Sequence, residues 1–153
     1  MFHVVLFEPE IPPNTGNIIR LCANTGVGLH LIHPLGFELE DRQLRRAGLD
    51  YDEFARLQEY SSLEDFINRN NPVNIYAAST KGTTSYSSIC FIPGDAIVFG
   101  PETRGLPQHV LAGFDQGNIL RIPMQVTSRS LNLSNAVAVI VYEALRQNNF
   151  PFV

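Results

Sequence analysis

The polar residues that could perform chemistry are concentrated in three loops, each of which follows an apolar run. The loop 126–132 is rich in Ser and Asn and precedes the most apolar stretch of the chain. The loop 79–85 (STKGTTS) is small and polar, and the loop 100–107 (GPETRGLP) holds two glycines and two prolines. Hydroxyl, amide and carboxylate groups in such loops can orient a substrate. Because open α/β sheets bind ligands beyond the carboxyl ends of their strands, the loop 79–85 in particular predicts a ligand site.

Glu102 and Arg104 lie in the loop 100–107, whose glycines and prolines restrict the backbone to few paths. Neither residue is predicted to be in a helix, so the loop itself must hold both side chains. One interpretation gives Glu102 a role in the ligand site. The alternative is that Glu102 only pairs with Arg104 and braces the loop.

Arginine makes up ten of the eleven basic residues, and Lys81 is the only lysine. The planar guanidinium suits phosphates and stacks on bases better than an ammonium does. Arg42, Arg45 and Arg46 are spaced to share one face of a predicted helix, where they would either contact phosphate or simply be solvated. A net charge of −4 argues against a protein that coats nucleic acid by charge alone. It still allows RNA binding at one place.

The segments that position the loops alternate between strand and helix patterns. Asn14 is predicted to be the N-cap of the first helix, which ends at Gly26, and Ser61 or Ser62 caps a later helix. Strands are predicted over 2–7, 28–33, 73–78, 95–100 and 118–122, with short ones near 54–60 and 89–92, and helices over 14–26, 38–48, 62–71, 107–111 and 131–146. This order predicts an α/β fold with a mostly parallel sheet of five or six strands flanked by helices. At 153 residues, it forms a single domain, 1–153.

The turn before the first helix carries Pro12, Pro13 and Asn14 but no GxGxxG pattern, so the dinucleotide-binding fingerprint is absent. These residues are compatible with a simple passage from strand to helix as well as with a functional turn.

Residues 136–141 (AVAVIV) leave no polar face on the last predicted helix. A helix that is apolar all round is buried on more than one side, and six such residues are too few to span a membrane. The simplest partner is a second copy of the chain, which predicts a homodimer and no membrane contact. Tyr142, on the same helix, is predicted to be an interface or core residue.

Cys22 and Cys90 show no metal-binding spacing and are predicted to be buried thiols. No metal site is therefore expected. The start MFHVVLFEPE has neither a basic region nor a long apolar run, so no signal peptide is predicted. Both observations favour a reducing, cytoplasmic location.

Three segments together resemble the signature motifs of the SPOUT superfamily of RNA methyltransferases: 11–20 (IPPNTGNIIR), 99–107 (FGPETRGLP) and 121–136 (RIPMQVTSRSLNLSNA). Their order and spacing, and the length of the chain, are similar to the smallest members, the TrmL (YibK-type) tRNA 2'-O-methyltransferases. The resemblance covers essentially the whole chain. It implies that the α/β sheet ends in a deep C-terminal trefoil knot, a topology that is otherwise rare.

The same resemblance implies that S-adenosylmethionine is the cofactor and that no metal is required. The cofactor would be held by the loops 78–82, 100–105 and 122–131, largely through backbone groups. The residues implied to bind it are Ala78, Thr80, Gly100, Glu102, Ile122, Met124, Ser130 and Leu131.

The catalytic residues implied by the resemblance are Asn14, Arg20, Glu102 and Asn132, placed around a ribose 2'-hydroxyl that attacks the cofactor methyl group in line. Family enzymes often have Arg20 assigned as the base. A guanidinium with a pKa above about 12 is a poor base, so stabilising the developing alkoxide and a phosphate is the better role for Arg20. Asn132 has an alternative role as a simple helix cap.

The implied substrate is the wobble nucleotide of tRNA, a cytidine or modified uridine at position 34, read in the anticodon stem-loop. A small exposed loop of this kind suits a chain that has no appended RNA-binding domain. Two alternatives stay open: a 2'-O-methyltransferase for another tRNA or rRNA site, and a knotted domain that binds RNA without catalysis.

Overall fold

The computed structural model describes residues 1–40, 42–46, 51–54 and 56–152. Its strands are β1 (His3–Phe7), β2 (Gly28–Ile32), β3 (Leu57–Tyr60), β4 (Ile75–Ala78), β5 (Thr84–Ser85), β6 (Ala96–Phe99) and β7 (Ile119–Arg121). Its helices are α1 (Pro12–Thr25), α2 (Arg42–Arg45), α3 (Tyr51–Phe54), α4 (Leu63–Asn70), α5 (Gln108–Leu111) and α6 (Leu133–Gln147).

The strands form one sheet in the order β3-β2-β1-β6-β4-β7-β5, and each described pairing is parallel. The predicted α/β fold with a mostly parallel sheet is confirmed, with seven strands in place of five or six. The strand order brings β6, β4 and β7 side by side. Their carboxyl ends carry the three polar loops, which the topology thus gathers at one edge of the sheet.

The central strands β1, β2 and β6 are buried on both faces of the sheet. Along β1, Val4 and Leu6 belong to a core that includes Ile18 of α1 and Ile140 of α6. The intervening Val5 packs in a second core on the opposite face. Because alternate strand residues point to opposite faces, a strand covered on both sides is apolar throughout. This explains why the strands lack a polar alternation.

Helix α1 begins two residues earlier than predicted. Its N-cap is Ile11, with no side-chain cap, and the two prolines occupy the first helical positions. Since proline has no N–H to satisfy, the helix starts there without a polar cap. Asn14 therefore lies within the first turn, and its prediction as N-cap is wrong. The predicted end is confirmed, because Gly26 adopts a left-handed conformation with φ of 70°.

The predicted helix 38–48 is shorter at its start, because residues 38–40 are not helical and α2 begins at Arg42. Leu39 packs partly buried against the core, and Leu44 is fully buried. Leu39 therefore contacts the core from the non-helical segment that precedes α2. Arg42 and Arg46 are exposed, whereas the predicted end at Gly48 lies outside the described residues.

The predicted strand near 89–92 is wrong. Its backbone groups bond to side chains instead of a neighbouring strand: Gln147 bonds to the carbonyl of Ile89 and the N–H of Phe91, and Asn148 donates to the carbonyl of Phe91. The carboxylate of Asp95 accepts from the N–H of Ile92 at 2.9 Å. The described sheet has β3 and β5 at its two edges, and residues 89–92 belong to neither.

The two cysteines differ in exposure. Cys22 is buried as predicted, and burial raises the pKa of its thiol to about 12. Cys90 is exposed, so its prediction as a buried thiol is wrong. It lies in the 89–92 segment, which is not buried within the sheet as a strand would be.

The other local predictions hold. Ser62 caps α4 by accepting from the N–H of Asp65, whose carboxylate accepts in turn from the N–H of Ser61. The arrangement resembles a capping box, except that the return bond comes from Ser61, the residue before the N-cap. The short strand β3 and the short helix α5 also form, whereas α3 was not predicted. None of the helices in the described ranges is long and apolar enough to cross a membrane.

A chain of hydrogen-bonded polar side chains, centred on the buried His30 and Tyr60, crosses β1, β2 and β3. The Tyr60 hydroxyl donates to Gln58, so its contact with Nδ1 of His30 at 3.0 Å makes that nitrogen the donor. Nε2 of His30 then accepts from Nδ1 of His3 at 2.9 Å, so the His30 ring is neutral. Burial, followed by the nearby His3, lowers the pKa of His30 to about 4.

Candidate active site

A cavity of about 320 Å³ lies at the carboxyl ends of β4, β6 and β7. Cavities of this order hold small-molecule ligands and cofactors in other proteins. Its walls come from the three polar loops together with the first turn of α6. All eight residues predicted to bind cofactor line it: Ala78, Thr80, Gly100, Glu102, Ile122, Met124, Ser130 and Leu131.

The wall formed by the loop 100–107 folds tightly back on itself. The N–H of Gly105, at φ of 66°, donates to the carbonyl of Pro101 at 2.8 Å. A Cβ on Gly100 would lie 2.2 Å from the backbone nitrogen of Leu106. Only glycine at position 100 allows this close approach, which keeps the backbone of the loop beside the cavity.

The loop after β4 is anchored to β7 on the opposite wall. The N–H of Ser79 donates to the carbonyl of Leu120 at 2.9 Å. A Cβ on Gly82 would lie 2.6 Å from the carbonyl oxygen of Ile119. Here too a glycine permits direct backbone packing, so the two loops that flank the cavity are both fixed by main-chain contacts.

Next to the cavity, Glu102 is bound to the start of α1. Its carboxylate accepts from the N–H of Glu10 at 2.8 Å and the N–H of Ile11 at 3.0 Å. The side-chain amide of Asn14 approaches the same carboxylate at 3.5 Å. Three donors thus converge on Glu102, and they tie the cavity wall to the first turn of α1.

Asn132 extends this network to the last helix. Its Oδ1 accepts from the N–H of Ser134 at 2.9 Å and from the Ser134 hydroxyl at 2.6 Å, while its Nδ2 donates to Oδ1 of Asn14 at 2.8 Å. Because a backbone N–H can only donate, Ser134 determines the orientation of both amides. Nδ2 of Asn14 must then point to Glu102. The network runs in one direction, from α6 through α1 to the cavity wall.

The alternative that Glu102 pairs with Arg104 is wrong, whereas the alternative that Asn132 caps a helix is confirmed. Glu102 braces its loop, but through the backbone of residues 10–11, since Arg104 pairs with Glu8 at 3.1 Å. Asn132 is the N-cap of α6 and is also bonded to Asn14. Each residue therefore has a structural role, and its part in catalysis stays a prediction.

Arg20 lies apart from the other three predicted catalytic residues. It does not line the cavity, and its Nε is 3.9 Å from Oε1 of Glu53, with the Arg20 side chain 47% exposed. On α1 it follows Asn14 by six residues, which turns it about 120° around the helix axis. The structure therefore brings together Asn14, Glu102 and Asn132, and leaves Arg20 on a neighbouring surface.

Sequence reasoning missed several residues of the site. Lys81 and Thr103 line the cavity, and Ser134 orients Asn132. Lys81 had a signal, since it is the only lysine and lies in a loop predicted to bind a ligand. Glu10, which contacts both Glu102 and Thr103, had none, because its partners lie more than 90 residues away.

The mixture of apolar and polar side chains that line the cavity suits an organic ligand. Apolar residues such as Leu106, Leu120 and Leu133 share the walls with Glu102, Lys81 and Ser130. Such a combination can receive a nucleoside-sized molecule with a charged end. Among the residues that the structure describes, no three His, Cys, Asp or Glu side chains are grouped to hold a metal ion.

Comparison with known proteins identifies the family. The model of the SpoU rRNA Methylase family matches residues 1–142. A protein of Saccharophagus degradans named tRNA (cytidine(34)-2'-O)-methyltransferase is 58% identical over 150 residues, which cover 98% of this chain and 97% of the relative.

Solved structures agree. One described as "Structural insights into the 2-OH methylation of C/U34 on tRNA" superposes with a TM-score of 0.89 at 46% identity, covering 97% of both chains. An AdoMet-bound rRNA methyltransferase from Sinorhizobium meliloti gives a TM-score of 0.81 at 28% identity, covering 95% of this chain and 56% of that one. These matches confirm the resemblance carried by the segments 11–20, 99–107 and 121–136: the chain belongs to the SpoU family of methylases.

Proposed function

We propose that the protein transfers a methyl group from S-adenosylmethionine to the ribose 2'-hydroxyl of nucleotide 34 of tRNA. The observation that carries this proposal is the hydrogen-bonded group of Asn14, Glu102 and Asn132 at the wall of a cavity built by three loops. The name of the Saccharophagus degradans relative supports both the reaction and the position.

The cavity fits the proposed cofactor in size and in chemistry. Ala78, Gly100, Ile122 and Leu131 would receive its apolar and adenine parts, and Ser130 its methionine end. When bound, S-adenosylmethionine supplies an activated methyl group and a neutral leaving group. The protein's own task is therefore to align the hydroxyl and hold it, which is chiefly a matter of positioning.

Glu102 is suited to orient the hydroxyl. A carboxylate offers about four acceptor positions, and three are used by Glu10, Ile11 and Asn14. The remaining position can accept a hydrogen bond from the substrate hydroxyl. Asn14 and Asn132 keep the carboxylate in place, because their amides have no freedom to rotate without losing partners.

Arg20 is proposed to stabilise negative charge on the substrate. A guanidinium does not release a proton at neutral pH, so Arg20 is unsuited to be the base. Its exposed position on α1 suits contact with the developing alkoxide or an adjacent phosphate of the RNA. The way two subunits pack in a dimer would determine whether Arg20 acts at its own cavity or at that of the partner subunit.

The assembly is proposed to be a homodimer that uses α6. Val137, Ile140 and Ala144 are buried within the chain, whereas Val139 is 36% and Tyr142 is 47% exposed. Covering such apolar side chains contributes roughly 1.5–3 kcal/mol each. A second α6 packed about a two-fold axis would cover both, and would place two copies of the polar loop 126–132 near the RNA.

The trefoil knot is also a proposal. It is supported by the close backbone packing of residues 79–82 against β7 and of Gly100 against 105–106. An experimental structure in which α6 can be drawn out without passing through a loop would disprove it.

The deciding experiment incubates the protein with labelled S-adenosylmethionine and unmodified tRNA, followed by nucleoside mapping. A 2'-O-methyl group at nucleotide 34 is expected. The description of the matched family makes rRNA the second candidate, so ribosomal RNA is assayed in parallel. If only rRNA is labelled, the substrate is rRNA and the proposed tRNA substrate is wrong. If the protein binds the cofactor and RNA but transfers no methyl group to tRNA or rRNA, the alternative of a non-catalytic RNA-binding domain is supported.

A further inference from the structure

The loop 8–11 and the loop 102–104 are joined by reciprocal contacts. Oε1 of Glu10 accepts from the N–H of Thr103 at 3.1 Å and from the Thr103 hydroxyl at 2.7 Å. In return, the carboxylate of Glu102 accepts from the N–H of Glu10 at 2.8 Å. Each loop thus offers a carboxylate to the backbone of the other, as in a capping box, but between segments more than 90 residues apart.

One side of this junction has a rigid support. The N–H of Gly36 donates to the carbonyl of Pro9 at 2.9 Å, and a Cβ on Gly36 would lie 2.9 Å from Cα of Glu10. The backbone at 9–10 is therefore packed directly against the loop that follows β2. Glu10 is the fixed member of the pair.

Glu8 makes a second side-chain contact between the two loops. It adopts φ of 49°, a left-handed conformation that favours glycine, yet it carries a side chain that pairs with Arg104 at 3.1 Å. Two carboxylates of one loop, those of Glu8 and Glu10, hold consecutive residues of the other. Thr103 and Arg104 both line the cavity.

We propose that Glu10 is a positioning residue: its carboxylate holds the cavity wall at Thr103 and thereby sets the affinity of the cavity for S-adenosylmethionine. The inference rests on the proposed function for the identity of the ligand. Through the reciprocal bond to Glu102, the same residue keeps the orienting carboxylate in register with Asn14. Cofactor affinity and alignment of the hydroxyl are then linked through one pair of loops.

The test compares Glu10→Ala with Glu10→Gln and with the control Glu64→Ala, which removes an exposed carboxylate on α4. Calorimetry measures S-adenosylmethionine affinity, and NMR-resolved hydrogen exchange of the cofactor-free protein follows the Thr103 amide. Glu10→Ala is expected to weaken binding by about 10-fold, or about 1.4 kcal/mol, and to speed exchange at Thr103 by a similar factor. Glu10→Gln retains an acceptor oxygen and should stay within about three-fold of the wild type.

Two results overturn the proposal: unchanged exchange at Thr103 in Glu10→Ala, or faster exchange with unaltered cofactor affinity. If Glu10→Ala does not fold, Thr103→Val replaces it, since this variant loses the 2.7 Å hydroxyl bond while keeping the side-chain shape. A wild-type protein that binds no cofactor would instead refute the proposed function. The exchange data would then still show whether Glu10 holds the wall.

Discussion

Replacing Gly100 with alanine tests whether backbone packing shapes the cavity. The added Cβ would lie 2.2 Å from the backbone nitrogen of Leu106 and 2.4 Å from the carbonyl carbon of Gly105. Both atoms belong to the main chain, so no side chain can rotate away. Restoring an ordinary carbon contact of about 3.5 Å requires the loop to move by roughly 1 Å.

The displacement has two consequences. Leu106 is 3% exposed and belongs to the core on one face of the sheet, so moving it strains packing by about 1–3 kcal/mol. This corresponds to a fall of roughly 3–10 °C in Tm for a chain of this size. Because Gly100 and Leu106 both line the cavity, cofactor affinity should fall by about 10-fold or more.

The assay pairs thermal unfolding with calorimetric titration of S-adenosylmethionine. Gly117→Ala is the matched control, since a Cβ there meets no atom within 4 Å and the residue has no positive φ. We expect Gly117→Ala to resemble the wild type in both measurements. A Gly100→Ala protein that matches this control in Tm and affinity would refute the argument that the loop has no room to relax.

Three further predictions concern the reaction, the acid stability and the assembly. Arg20→Ala should leave cofactor affinity nearly unchanged and lower methyl transfer by roughly 100-fold, the effect of losing one group that stabilises developing charge; a fully active variant would remove Arg20 from the mechanism. His30 has a folded pKa of about 4, below its unfolded value near 6.5, so its contribution to stability is complete above pH 6.5 and is lost as pH falls towards 4. Urea unfolding should therefore show about 2 kcal/mol less stability at pH 5 than at pH 7, and His30→Gln should flatten this dependence relative to wild type. Tyr142→Asp should convert a dimer of about twice 17.1 kDa into inactive monomers in sedimentation, and a wild-type protein that is already a fully active monomer would show that α6 needs no partner.

The sequence by itself determined most elements and the loops that line the cavity. Apolar runs predicted the major strands, and the alternation with helices predicted the parallel α/β sheet, because hydrophobic pattern and turn residues act locally. The segments 11–20, 99–107 and 121–136 also carried the resemblance that the family match confirms. All eight residues predicted to bind cofactor line one cavity, although their role in binding stays a prediction.

What the sequence misjudged depended on partners distant in the chain. Residues 89–92 look like a strand, but Gln147 and Asn148 occupy their backbone groups from more than 50 residues away. Arg104 pairs with Glu8 rather than with its close neighbour Glu102. No local pattern encodes such choices, since they arise only when separate segments meet.

The tertiary structure alone decided the arrangement of the active groups. The strand order places β1 beside β6, so the start of α1 with Asn14 meets the loop that carries Glu102. Helix α6 shares a core with α1, which brings Asn132 to Asn14. The N–H of Ser134 then determines the orientation of both amides, because a backbone donor leaves a single consistent set of hydrogen bonds. Residue types can be read from the sequence, but the direction of hydrogen bonds between residues 88 to 118 positions apart is a property of the folded chain.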